Sequence, residues 1–175
     1  MTKKTVSNMY KEQRIGVFVD VQNMYYSARY LYKAKVNFKV ILKEAVRERN
    51  LIRAIAYVIK ADVKDEINFF DALKNLGYEV KAKDLQVFYG GAKKGDWDIG
   101  IAMDAIELAP KLDAIVIVSG DGDFVPLVQH LKHAIGCYVE VIAFKKSSSQ
   151  KLIEEADNFI DLDVNHEKFL IPGRK

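Results

Sequence analysis

The run Ser119-Gly120-Asp121-Gly122-Asp123-Phe124 follows directly on the apolar stretch Ile115-Val116-Ile117-Val118. A continuous β-branched run that ends in a Gly-rich turn reads as a strand buried on both faces, the habit of parallel sheets. Ligands of open α/β sheets bind beyond the carboxyl ends of such strands, so Asp121 and Asp123 stand where chemistry is done. A second apolar run, Ile15-Gly16-Val17-Phe18-Val19, delivers Asp20 in the same way, with Asn23 three residues on. Asp98, in Lys94-Gly95-Asp96-Trp97-Asp98, opens the segment that leads into the Asp121 strand. Carboxylates gathered at one sheet edge repel one another unless a cation holds them. Hard divalent ions such as Mg²⁺ or Mn²⁺ take oxygen ligands of this kind, together with water and substrate phosphates. A metal so held activates water against a phosphodiester, and the protein then needs no Ser, Cys or His nucleophile.

Each of these residues also has a plainer role open to it. Asp20 and Asn23 stand where a helix cap belongs, Asp98 and Asp96 compete to cap the helix they precede, and Asp121 and Asp123 suit a tight turn. Asp104, six residues after Asp98, points about 120° away round a helix; it is a supporting residue or a salt-bridge partner. Ser119 is a ligand or phosphate hydrogen-bonding group, or a satisfied turn hydroxyl. His130 and His133 have no third soft ligand nearby and read as packing or surface groups rather than a zinc site.

The surrounding sequence supplies elements to hold these groups. Helical patterns at 23–33, 38–49, 65–76, 98–109, 124–134 and 150–156 alternate with strand patterns at 15–19, 51–59, 78–83, 114–118, 138–144 and 159–162. The third strand has an option to continue to Tyr89, and Ser147 with Gln150 forms a capping box before the last helix. Alternation of this kind predicts an α/β fold: a three-layer α/β/α sandwich around a mainly parallel, doubly wound sheet. We read residues 14–163 as one domain, with polar tails at 1–13 and 164–175.

At 175 residues, 50% hydrophobic and 29% charged, the chain has the composition of a folded domain and not of a disordered one. No apolar run nears the ~20 residues of a membrane span, and the N-terminus lacks the apolar centre of a secretory signal. The single Cys137 permits no internal disulfide and suits a reducing, cytoplasmic setting. A net charge of +3 is too small to announce nucleic-acid binding, but Lys33, Lys35, Lys39, Lys43, Lys93, Lys94, Lys145 and Lys146 fall in or near loops that can border the acidic edge.

Together, Asp20-Val21-Gln22-Asn23, the Lys94–Asp104 stretch and Ser119–Phe124 resemble the NYN domain, and within it the LabA-like branch of the PIN-like nuclease superfamily. The resemblance runs from about Arg14 to Asp161. It implies a PIN-like sandwich with an acidic pocket for Mg²⁺ or Mn²⁺ and ribonuclease activity. Carried over by motif, Asp20, Asp98, Asp121 and Asp123 are the metal-binding acids and Asn23 their polar companion. RNA, single-stranded by preference, is the expected partner. Tyr26, Tyr30 and Arg29 on the first helix, Lys94 and Ser119 are the candidate substrate contacts; Asp96 and Asp104 support the ligands. The tyrosines are equally core or homodimer contacts, and Trp97 is packing beneath the pocket or a stacking surface. Two alternatives stand beside the nuclease: a non-catalytic RNA- or protein-binding regulator on the same fold, and a Mg²⁺-dependent phosphatase. The phosphatase pattern wants a second Asp where this chain has Gln22.

Overall fold

The structure, a computed structural model, describes residues 10–172, and of residues 93 and 94 only the backbone. The remainder of the expected tails, residues 1–9 and 173–175, lies outside the described residues.

Apolar residues in unbroken runs build the centre. Strand β1 (Arg14–Asp20) is followed by α1 (Val21–Tyr32), α2 (Phe38–Val46), β2 (Asn50–Lys60), α3 (Glu66–Asn75) and β3 (Glu79–Asp84). After a hairpin come α4 (Asp98–Leu108), β4 (Ala114–Val118), α5 (Val125–His130), β5 (Tyr138–Ala143), α6 (Gln150–Glu155) and β6 (Asn158–Asp161). The six strands form one parallel sheet in the order β3-β2-β1-β4-β5-β6. The chain works outward from β1 on one side and then returns to its other side, so the switch point lies between β1 and β4, where such sheets open a crevice.

Side chains alternate across the sheet and divide the core in two. Val17, Val19, Val116 and Val118 pack with Met24, Ala28, Ile41, Ala45 and Leu73 from α1, α2 and α3. Phe18, Ile115, Ile117 and Val141 pack on the opposite face with Ile101, Ala105, Val128 and Leu152 from α4, α5 and α6. The sheet thus lies between two helical layers, as the alternation predicts. Among the described residues no helix is long and apolar enough to cross a membrane.

Four local readings change. The third strand stops at Asp84; beyond it Gln86–Val87 pairs antiparallel with Lys93–Lys94 as a separate hairpin. The helix read from Phe124 begins as a 3₁₀ turn over Gly122–Phe124 and ends as a π turn over Leu131–Ile135, closed by Gly136 in the left-handed region at φ 82°. Ser149, rather than Ser147, caps α6, its hydroxyl accepting the Leu152 N–H at 3.4 Å. The segment after residue 163 is not a free tail as far as it is described. His166–Phe169 is helical, Phe169 and Leu170 are buried, and Leu170–Ile171 pairs antiparallel with Lys35–Val36. The short apolar run Phe169-Leu170-Ile171, two of its three residues buried, suffices for this return.

An acidic edge between the first and fourth strands

The turns after β1 and β4 are tied together by side chains. Asp20 is 8% exposed and caps α1: its Oδ1 accepts the Asn23 N–H at 3.1 Å. Its Oδ2 accepts the hydroxyl of the fully buried Ser119 at 3.2 Å, and Ser119 Oγ in turn accepts the Asp121 N–H at 3.2 Å. Asn23 does not cap; its Oδ1 accepts the Gly120 N–H at 3.0 Å. Asp121 Oδ1 accepts the Asp123 N–H at 2.9 Å, closing the turn on itself. The cap and turn roles left open for Asp20 and Asp121 are therefore real, and they coexist with a shared acidic edge.

Asp98 reaches the same place from the first position of α4, whose N-cap is Trp97. Asp98, Asp121 and Asp123 each offer a carboxylate oxygen within 4.8 Å of the others. Asp20 is not one of these three, but its charge acts on Asp98 and Ser119 links it to the Asp121 backbone. Among the described residues no Lys or Arg forms an ion pair with any of the trio. The electrostatics record the crowding. Burial first, then the charges of Asp121, Asp96, Asp20 and Asp123, push the Asp98 carboxyl up to about 6. Burial also raises Asp20, against the pull of the Asn23 N–H and the Ser119 hydroxyl, and the charges of Asp121 and Asp96 raise it further. Asp96 thus contributes charge to both groups.

Close packing sets the loop. A Cβ on Gly120 would stand 2.4 Å from Ser148 Oγ and 3.1 Å from Ser148 Cα, while Ser149 N–H donates to Gly120 O at 2.9 Å. The chain after β5, Lys145 to Ser149, is therefore pressed against the acidic turn, with Lys145 and Lys146 exposed beside it. The signal for this neighbour was available: Ser148 and Ser149 follow the next strand of the same sheet, opposite two glycines.

The remaining candidates divide. Asp104 is a salt-bridge residue: Lys81 Nζ and the Tyr57 hydroxyl each lie 2.7 Å from its Oδ2. Trp97 packs, its Nε1–H donating to Val58 O at 2.8 Å and its ring lying 5.3 Å from Tyr57 and beneath Lys83 Nζ at 4.6 Å. Tyr26 and Tyr30 are exposed on α1, and Arg29 donates to the Tyr25 hydroxyl at 2.8 Å. That helix leads away from the edge, so Tyr30 lies ~15 Å along its axis from Asp20. The side chain of Lys94 lies outside the described residues. Absent from the sequence reading is a cavity of about 240 Å³ lined by Lys83, Asp84, Gln86, Phe88, Gly95 and Asp96; the exposed pair Phe88-Tyr89 before Gly90-Gly91 was its visible sign.

Comparison with known proteins agrees with this geometry. The chain is 29% identical over 164 residues to the low amplitude and bright protein LabA of Synechococcus elongatus (strain ATCC 33912 / PCC 7942 / FACHB-805), covering 88% of this chain and 86% of LabA. The crystal structure of VPA0982, a protein of unknown function from Vibrio parahaemolyticus RIMD 2210633, superposes with a TM-score of 0.85 at 37% identity, covering 92% of this chain and 98% of that one. The sequence model of the NYN domain matches residues 14–163. The chain belongs to the NYN domain family, of PIN-like fold, and LabA is among its relatives.

Proposed function

We propose that this protein is a metal-dependent ribonuclease that hydrolyses phosphodiester bonds of single-stranded RNA in the cytoplasm. The observation that carries the reading is the trio Asp98, Asp121 and Asp123, three carboxylate oxygens mutually within 4.8 Å at the switch point of a NYN-family sheet. The donor set fits a hard divalent cation: all oxygen, convergent, and without a Lys or Arg ion pair among the described residues. Mg²⁺ or Mn²⁺ held there supplies Lewis-acid activation of water and neutralises charge on the phosphodiester.

The protein's part is to hold the acids together. Asp20 is the buried support: it receives the Ser119 hydroxyl, and Ser119 orients the Asp121 backbone. Asn23 fixes the Gly120 peptide and hence the direction in which Asp121 leaves the turn. The raised Asp98 carboxyl loses its proton most readily when positive charge arrives, so protonation and cation binding compete at this residue. The exposed Lys145 lies in the neighbouring turn and is the nearer cation for incoming phosphates, whereas the Lys146 ammonium rests over the Tyr32 ring at 5.6 Å.

The test is cleavage of a labelled single-stranded RNA pool in Mn²⁺, Mg²⁺ or EDTA, with Asp20→Asn and Asp121→Asn beside the wild type. Cutting that needs both cation and acids is the expected result. RNA that is bound but never cut would overturn the hydrolytic reading in favour of a binding regulator.

A further inference from the structure

The cavity beside the acidic edge has walls that hydrolysis alone does not use. Lys83 and Asp84 come from the end of β3, Gln86 and Phe88 from the hairpin, and Gly95 and Asp96 from the chain entering α4 two residues before Asp98. At about 240 Å³ it lies below the ~300–1,000 Å³ of sites that enclose drug-sized ligands. Its lining is mostly polar: two carboxylates (Asp84 and Asp96), one ammonium and one amide, with the Phe88 ring at its edge.

The hairpin tip is built, not frayed. Phe88 N–H donates to Ala92 O at 2.7 Å, Gly91 N–H donates to Phe88 O at 3.0 Å, and Gly90 and Gly91 take the positive φ that the turn demands. It nevertheless exposes half of Phe88 and the whole of Tyr89. Large aromatic rings left in water by a hydrogen-bonded turn mark a contact surface. Lys83 is fixed as well, its ammonium resting on the Trp97 ring, which Val58 O anchors. The Asp84 carboxylate on the wall rejects a phosphate inside the cavity and accepts an N–H from a neutral base, which leaves phosphate to Lys83 at the rim.

We propose that the cavity and hairpin tip hold unpaired nucleotides flanking the scissile phosphate: one base stacks on Phe88 with its edge toward Gln86 and Asp84, and the next stacks on Tyr89. The inference rests on the ribonuclease reading and adds to it where the unpaired bases are held, since paired bases keep their faces stacked on one another.

The experiment is fluorescence anisotropy with a labelled single-stranded RNA, and with the same strand annealed to its complement, in Mg²⁺. Asp121→Asn serves as the parent protein so that no cleavage interferes; Phe88→Ala, Tyr89→Ala and Phe88→Trp are built on it. Stacking of this kind predicts that each alanine variant loses about fivefold or more in affinity for the single strand. The tryptophan variant keeps that affinity, duplex affinity does not change, and melting temperatures stay at the parent's value because both rings are exposed. Single-strand affinity unchanged in both alanine variants overturns the hairpin subsite and leaves the nuclease reading standing. Equal losses for strand and duplex overturn it too, as does self-association that vanishes in the alanine variants while RNA affinity holds. Cleavage by the wild type in Mn²⁺, run in parallel, reports on the nuclease reading alone: single-strand binding that depends on Phe88 without any cleavage retains the subsite and defeats hydrolysis.

Discussion

The side-chain carbonyl of Asn23 accepts the Gly120 N–H at 3.0 Å, joining the turn after β1 to the turn after β4 across 97 residues of sequence. Asn23→Ala leaves that part-buried donor unpaired, and the cost of such a loss is about 1–3 kcal/mol. Asn23→Asp keeps the acceptor but adds a negative charge beside the acids. Urea unfolding is expected to show the alanine variant destabilised by that amount. The aspartate variant should be destabilised without cation and recover more than wild type when Mn²⁺ is added.

Asp121→Asn retains the carbonyl that receives the Asp123 N–H while removing one charge from the trio. The metal-free protein is expected to melt at a higher temperature than wild type, because carboxylate repulsion is relieved. Mn²⁺ should then raise the wild-type melting temperature and leave the variant's nearly unchanged. Thermal shift with and without EDTA checks both halves.

Asp98 gives a pH signature. Unfolded, its carboxyl titrates near about 3.9; in the fold it titrates at about 6. Between these values the folded chain holds a proton that the unfolded chain has lost, so stability falls as pH rises through the window and stays lower above it. The wild type minus Asp98→Asn difference in unfolding free energy, measured without metal, should therefore decline from pH 4 to pH 6 and then level. Cation affinity runs the other way and weakens below about pH 6 as protons compete.

Gly100 lies under the only tryptophan of the chain. A Cβ there would sit 2.5 Å from Trp97 Cε3, so Gly100→Ala displaces the ring and its hydrogen bond to Val58 O. Overpacking of this kind costs ~1–3 kcal/mol. The fluorescence should shift to the red as the indole meets water, and the shift can be read from this one residue.

Glu140 serves as a control remote from the acids. It is 1% exposed on β5 and pairs with the equally buried Arg49, with Arg47 at 3.0 Å and Asn158 completing the set. Glu140→Ala leaves the Arg49 guanidinium uncompensated, a loss of about 3–5 kcal/mol. The Mn²⁺-induced rise in melting temperature should survive, because no member of the trio loses a contact.

The parts of this molecule that could be read from sequence are those where one physical demand dominates. Ile115–Val118 and Ile15–Val19 are apolar on both faces, and only an interior strand tolerates that, so the sheet and the acids at its ends were legible. Phe169-Leu170-Ile171 is too short a run to show a period, and the C-terminal return was missed. Ser147 and Ser149 are both sound caps by type; only the contact of Ser149 with Gly120 decides between them. The hydrogen bonds that tie Asp20 through Ser119 to the Asp121 backbone join residues about a hundred positions apart, which local sequence does not encode.

The strand order has a consequence during synthesis. Asp20 leaves the ribosome early, whereas Ser119, Asp121 and Asp123 follow a strand made roughly a hundred residues later, and β1 must wait for that strand to pair at its second edge. Such distant pairing is slow to form because its loop-closure entropy precedes any reward. A nascent chain, or a fragment ending before β4, lacks the turn that carries Asp121 and Asp123 and cannot assemble the acidic edge.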